Sequence, residues 1–426
     1  MMANSKTVII GLDGVPFDLL RDLADTGVMP HTKALISAGT FRQMHSSIPE
    51  ISSVAWSSMI TGCNPGTHGI FGFTDLAANS YRTRFPNYTD LKAPTFWDQW
   101  RQKAVIINVP ATYPVREMNG VHISGFVSID IEKSVWPRDL VGTLNGFDYR
   151  LDVDSLLGHR AIDLFLADLD KTLEARIRAY RYLWENCDWK LFVLVFTGTD
   201  RLMHFLWQAY EDKQHRYHDS FLEHFRKIDE AVGQISEKIN DDDLLVMLSD
   251  HGFELLEKDI YISYLLEQEG FLKLQSACEP TLESVERATK AFALDPSRIY
   301  LNSKGRYPAG SVEKADRERI LRDLEQLFNS LEVDGKKVIA QIYRKEQIYS
   351  GPFLEQAPEL LLLPTKGFNL KAKLTSANLT DKPIFTGKHE QQTAFLLIRD
   401  GFDSIIPDRL DVSSVKGIVE AIKRAG

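Results

Sequence analysis

Residues 244–252 read LLVMLSDHG: five apolar residues in a row, entered from the acidic turn Asp241-Asp242-Asp243, that stop at an aspartate, a histidine and a glycine. Such an unbroken run predicts a strand of a parallel sheet covered on both faces. The fold it points to is α/β, with a mostly parallel central sheet flanked by helices on both faces. Open α/β sheets bind ligands at the carboxyl ends of their strands, so Asp250 and His251 mark where a site should be sought. The pair also suits a divalent cation. Taken alone, it reads equally well as an N-cap aspartate beside a surface histidine.

The same layout recurs. Residues 7–12, TVIIGL, form a second buried-strand pattern that ends at Asp13-Gly14, with Pro16 and the apolar set Phe17, Leu19, Leu20 and Leu23 opening a helix. Residues 191–196, LFVLVF, form a third, followed by Thr197-Gly198-Thr199-Asp200. His204 lies four positions on, on one helix face with Asp200 if a helix starts there. Arg201 beside them can reach a phosphate or a neighbouring acid. Residues 386–389, TGKH, precede a last strand pattern, AFLLI, at 394–398; His389 by itself reads as a loop histidine.

Between these lies a loop-and-helix segment, 49–69, PEISSVAWSSMITGCNPGTHG. Ser52 and Ser53 fall at its expected helix start, where N–H groups and the helix dipole favour an anion or a developing alkoxide, though a serine there is commonly a cap. A serine hydroxyl attacks only when a base or a metal ion takes its proton. No G-x-S-x-G elbow is present, which leaves metal activation.

The remaining stretches carry structure more than chemistry. Ala104–Val109 is another core strand, set among Pro94, Pro110, Pro114 and Pro137, and the nearby Tyr81, Phe85, Tyr88 and Trp97 suit packing better than a pocket. An amphipathic helix is expected over 162–184, and a second from about 221 to 239. His215, His218 and His224 surround the start of that second helix and read as solvated. Residues 255–350 are richer in charge and read as a cap or insertion within a single catalytic domain spanning 1–426, with a helix over 312–331. Arg298, Tyr300, Asn302 and Arg306 there are candidate substrate contacts.

Composition bounds the function. The 426 residues are 44% hydrophobic and 26% charged, as in an ordinary globular protein. A net charge of −9 argues against a nucleic-acid footprint. It also means that an anionic substrate needs local positive charge, as bound metal ions would give. Cys63, Cys187 and Cys278 lie far apart and form neither a disulfide framework nor a thiolate zinc motif, which suits the cytoplasm. No signal-peptide pattern opens the sequence, and no apolar stretch approaches the ~18 residues of a membrane span.

Asp13, Asp200, His204, Asp250, His251 and His389 together supply three carboxylates and three imidazoles. Two divalent ions would bring four positive charges, which three carboxylates and one serine alkoxide neutralise. Two metals about 3.5–4 Å apart would stabilise both attacking and leaving oxygens of an in-line displacement.

The order Asp, Ser, Asp-x-x-x-His, Asp-His and a late Gly-x-His resembles the alkaline phosphatase superfamily. Within it the chain is similar to the type I phosphodiesterase/nucleotide pyrophosphatase branch, and NVPATYP at 108–114, SGPFLEQAPELLLL and SDHG resemble its phosphohydrolase/phosphomutase group. The resemblance implies an alkaline phosphatase-like fold and a phosphate-ester small-molecule substrate. It implies two divalent ions, zinc first and manganese second: one on Asp200, His204 and His389, the other on Asp13, Asp250 and His251. Ser52, three residues after Pro49, is the implied nucleophile and a shared ligand, with Ser53 the fallback. The reaction implied is hydrolysis of a phosphodiester or monoester through a phosphoseryl enzyme. The alternatives are a phosphomutase that keeps the phosphoryl group under the cap, and a catalytically silent metal-binding protein. Ala55 stands where family phosphodiesterases often carry an asparagine for the phosphate oxygens. The C/S-x-P-x-R setting of sulfatases is absent from 49–62.

Overall fold

The computed structural model describes residues 5–275 and 280–425; Cys278 lies outside the described residues. The chain divides into two compact units, one of Met1–Cys63, Asn87–Glu254 and Ile384–Gly426, the other of Asn64–Pro86 and Leu255–Pro383.

The first unit is built on an eight-stranded sheet. Its strands run in the spatial order Thr40–Met44, Ala394–Ile398, Leu244–Leu248, Thr7–Leu12, Leu191–Phe196, Ala104–Val109, Gly120–Ser124 and Val135–Trp136. The five from Leu244–Leu248 to Gly120–Ser124 pair in parallel. The outer strands are antiparallel. Every residue of Thr7–Leu12, Ala104–Val109, Leu191–Phe196 and Leu244–Leu248 is buried, as expected of strands covered on both faces.

Register then does what composition cannot. Leu12 lies opposite Phe196 and Gly11 opposite Leu248, so the residues that follow all three strands emerge at one edge of the sheet. Gly11 also lets a helix approach: a Cβ there would come within 2.5 Å of the Trp56 ring. Trp56 belongs to the Ser52–Thr61 helix, which Gly62 ends at φ +69°.

The long helix runs Ile162–Asn186 and buries Phe165, Leu169, Leu173, Tyr180 and Leu183 of the expected apolar stripe. A later helix, His218–Lys238, corrects the reading of the histidines. His224 sits on its inner face, 5% exposed, because it follows Phe221 by three positions and precedes Ile228 by four. It is a core histidine, not a solvated one.

The second unit has its own core around Phe292, Leu301, Leu324, Phe328, Leu360 and Leu370. Its helix covers only Arg317–Asn329, because the Val312 N–H bonds to the Asn302 carbonyl and residue 312 bridges Ser303 instead. Arg298 and Asn302 are fully buried there. The Arg298 guanidinium bonds the Asp295 carbonyl, and Asn302 accepts from Tyr81, which makes both structural. Among the described residues no helix is long and apolar enough to cross a membrane.

Candidate active site

Each candidate side chain is placed by the sheet edge. Asp13 follows its strand directly, its N–H bonded to the Phe196 carbonyl, and its own carbonyl accepts from Thr199 Oγ1 at 2.6 Å. Asp250 and His251 follow Leu244–Leu248, and Asp250 Oδ1 accepts from the Gly14 N–H at 3.0 Å. Asp200 lies in the first turn of the Gly198–Glu211 helix with His204 one turn on. His389 is not in a loop: it lies on the short strand Gly387–Glu390, paired with Gly252–Leu255, the strand that starts right after His251.

The structure brings all six together. His389 Nε2 is 3.0 Å from Asp200 Oδ2 and 3.0 Å from His204 Nε2, while His204 Nε2 is 3.4 Å from Asp200 Oδ2. His251 Nε2 is 3.6 Å from Asp13 Oδ1 and 3.4 Å from Asp250 Oδ2. The His251 and His389 rings stack at 3.8 Å, joining the two halves. Asp200, His251 and His389 form one group able to hold a metal ion, and Asp13, Asp250 and His251 another, so His251 belongs to both.

The tautomers follow from the carbonyl partners. Nδ1 of His204, His251 and His389 lies 3.2, 3.0 and 2.9 Å from the carbonyls of Gly387, Gly252 and Glu50 respectively. Each Nδ1 therefore carries the proton and donates it, and each Nε2 presents a bare lone pair to the cluster. Two bare nitrogens at 3.0 Å cannot hydrogen-bond each other. Asp250 Oδ2 is likewise buried with no hydrogen-bond partner among the described residues. Cations held by the two groups would satisfy such atoms, and the nitrogen and oxygen donors are those a divalent metal takes. The donor set present here fits a divalent metal ion.

The electrostatics agree. Burial, then the neighbouring Asp250 and Asp200 carboxylates, pushes the Asp13 carboxyl well above its ordinary range. Burial raises Asp250 to about 7. Burial also works to raise Asp200, but His204, His389 and Arg201 outweigh it and hold that carboxyl far below the usual range. Burial depresses all three imidazoles, His251 to about 4.

Ser52 opens its helix facing this cluster. Its Oγ lies 3.3 Å from Asp13 Oδ1 and 3.2 Å from His251 Nε2, both acceptors. Ser53 Oγ is buried and has no hydrogen-bond partner among the described residues, which sets the two serines apart. Val54 and Ala55 N–H bond the Ile51 carbonyl; ahead of them the Ser52 and Ser53 N–H groups have no partner within the helix, as at any helix start. Arg201 turns to acids: it bonds Asp152 Oδ2 at 2.8 Å and Asp200 Oδ1 at 3.0 Å.

Two members escaped the sequence. Phe253 places its ring 4.8, 5.2 and 5.9 Å from those of His204, His389 and His251. A Cβ on Gly14, whose φ is +74°, would come within 2.9 Å of that ring. Its position two residues after His251 is the one signal that could have found it. Asp152 had none, being 49 positions from the arginine it holds.

The sequence model of the type I phosphodiesterase/nucleotide pyrophosphatase family matches residues 7–392. The chain belongs to this family. It is an enzyme of the phosphoric-ester-hydrolase kind that the family comprises. The fold is shared with phosphonoacetate hydrolase from Sinorhizobium meliloti 1021, solved with phosphonoformate and with phosphonoacetate. The TM-scores are 0.63 and 0.64 at 16% identity, over 98% of this chain and 95% of that one. It is also shared with murine ectonucleotide pyrophosphatase/phosphodiesterase 5, solved in an inactive form with AMP, at TM-score 0.53 and 12% identity over 99% and 95% of the two chains. Identities this low speak to the fold, which is alkaline phosphatase-like. A comparison with curated proteins gives no match.

Proposed function

We propose that this family member hydrolyses phosphodiesters at a two-metal site, with Ser52 as nucleophile and a phosphoseryl intermediate. The observation that carries the reading is the position of Ser52 Oγ, within 3.3 Å of one ligand from the Asp13–Asp250–His251 group and of the histidine common to both groups. Asp200, His204 and His389 would hold one ion, and Asp13, Asp250 and His251 the other, with Ser52 between. Zinc suits this set first and manganese second. When bound, the ions supply Lewis-acid charge that favours the serine alkoxide and neutralises charge developing on the phosphoryl oxygens.

The chain's own residues do the rest. Ser52 gives up its proton toward Asp13 Oδ1 and attacks phosphorus, and the ester oxygen opposite leaves as the alcohol or alkoxide. The helix start that carries Ser52 offers N–H groups and a positive dipole end to the non-bridging oxygens, a role that the asparagine absent at Ala55 would otherwise share. The Nδ1–carbonyl bonds keep the three rings from turning during this step. Water then cleaves the phosphoseryl ester, and two inversions retain configuration at phosphorus. The scattered cysteines support the cytoplasm as its compartment.

The test is turnover of bis-p-nitrophenyl phosphate and p-nitrophenyl phosphate by metal-loaded wild type and Ser52→Ala, with metal content measured in both. Diester cleavage that the variant loses while keeping its metal is the expected result. A monoester preference would replace phosphodiesterase by phosphatase, and an unchanged Ser52→Ala rate would remove the serine from the mechanism.

A further inference from the structure

Away from the candidate metal cluster, the first unit holds a cavity of about 170 Å³. Its apolar walls are Ile9 of the Thr7–Leu12 strand, Phe96 and Trp100 ahead of Ala104–Val109, and Val415 and Val419 of the Ser414–Ala425 helix. Ile9 precedes Asp13 by four positions along its strand, which sets that wall roughly 13 Å from the cluster. The Phe96 N–H bonds the Ile60 carbonyl at 2.8 Å, and Lys416 Nζ, also in the lining, reaches the Thr61 carbonyl at 3.3 Å. Two sides of the cavity are thus fastened to the end of the Ser52–Thr61 helix, so the space is built into the folded chain.

The polar groups of the lining are engaged, with one exception. Glu420 accepts from Arg424 at 3.0 Å, Lys416 is held by Thr61, and Gln99 is exposed. Lys423 Nζ lies 4.3 Å over the Trp100 ring, which fixes the indole without answering its N–H. That Nε1–H is buried and has no hydrogen-bond partner among the described residues. A buried donor left without an acceptor is costly. Water is a poor remedy, because an ordered buried water needs about two to four polar partners. An acceptor carried on an apolar body satisfies the indole and fills the space together.

Volume and charge narrow that body. An apolar cavity of about 150 Å³ takes a single benzene ring. The lining's two formal charges, Lys416 and Glu420, are opposite, and burying an ion against apolar walls is unfavourable. We propose that this cavity is a binding site for a compact uncharged molecule, about the bulk of one substituted ring, whose oxygen accepts from Trp100 Nε1. Its occupant is a ligand apart from the substrate, and the site stands whatever reaction the metal cluster performs.

The test titrates acetophenone, its acceptor-free counterpart cumene and the anion benzoate into the full chain. Calorimetry gives the affinities, and NMR follows the indole N–H signals, that of Trp100 being assigned from Trp100→Phe. Acetophenone should bind saturably at one site and move the Trp100 indole proton downfield. Cumene should bind about fivefold more weakly, a preference that Trp100→Phe should erase. Benzoate should also bind more weakly than acetophenone. Val419→Phe, which puts a ring into the space, should abolish binding. The proposal is overturned by absence of saturable binding, by equal affinity for acetophenone and cumene, or by tighter binding of benzoate. An unmoved Trp100 signal at saturation, or undiminished binding to folded Val419→Phe, would overturn it too. If Val419→Phe does not fold, the wild-type indole signal and Trp100→Phe decide by themselves.

Discussion

His204 Nε2 and His389 Nε2 face each other at 3.0 Å, each with its proton held on the far nitrogen by a backbone carbonyl. Without a cation between them the two lone pairs repel, and the folded protein carries that conflict at the partly exposed cluster. Chelation should therefore lower the melting temperature by roughly 5 °C or more, with zinc or manganese restoring it. Differential scanning calorimetry before and after metal replacement checks this; an unchanged melting temperature would mean that the rings satisfy each other without metal.

Phe253 should couple stability to metal affinity. Phe253→Ala removes the ring that packs on all three imidazoles and should cost about 3–5 kcal/mol in urea unfolding. It should also weaken metal binding by roughly 10–100-fold in a chelator competition, through freed imidazole orientation. Loss of stability with unchanged metal affinity would reduce the ring to packing alone.

Arg201 should act through Asp200. Its side chain is 15% exposed and bridges Asp152 to Asp200, a carboxylate of the candidate metal cluster. Arg201→Lys keeps the charge but loses the fork and should lower kcat/KM about tenfold; Arg201→Met should lower it about a hundredfold. Steady-state kinetics on the diester, with metal content held equal, separates this from simple metal loss.

Acid should unfold the protein partly through histidines outside the site. Burial lowers His68 and His122 to about 3 and His224 to about 4. A base with a depressed folded-state pKa gives stability that is complete above the unfolded value, near 6.5, and lost as pH falls toward the folded value, because the unfolded chain takes the proton first. Stability should thus decline from pH 6.5 to about 3, the His224 share being lost by about 4. His122→Gln should flatten that slope by about 1.4 kcal/mol per pH unit, one proton's worth, in urea titrations. The buried Glu50 carboxyl, raised by burial, works in the opposite direction, but it is common to wild type and variant and drops out of the difference.

What the sequence discloses here is governed by locality. Strands 7–12, 191–196 and 244–248 announce themselves because parallel strands need apolar residues on both faces, and the residues after them inherit a place at the sheet edge. Asp13, Asp200, Asp250 and His251 were legible for that reason, and His204 through its helical spacing from Asp200. His389 was legible only through family resemblance, since its short strand is defined by a partner more than 130 positions away. His224 misled because a histidine among charged neighbours gives no sign of which helix face the core will claim. The contacts of Phe253 and Asp152 are tertiary, and no periodicity encodes them.

The cluster also imposes an order of assembly. His251 and His389 stack on one another, yet between Glu254 and Ile384 the chain leaves to build the second unit. At about 5–20 residues per second a ribosome takes on the order of ten seconds to make that excursion. During that time Asp13, Ser52, Asp200, Asp250 and His251 already exist without the strand that closes the site. The nascent chain is therefore expected to lack the assembled candidate site until residue 389 has been made.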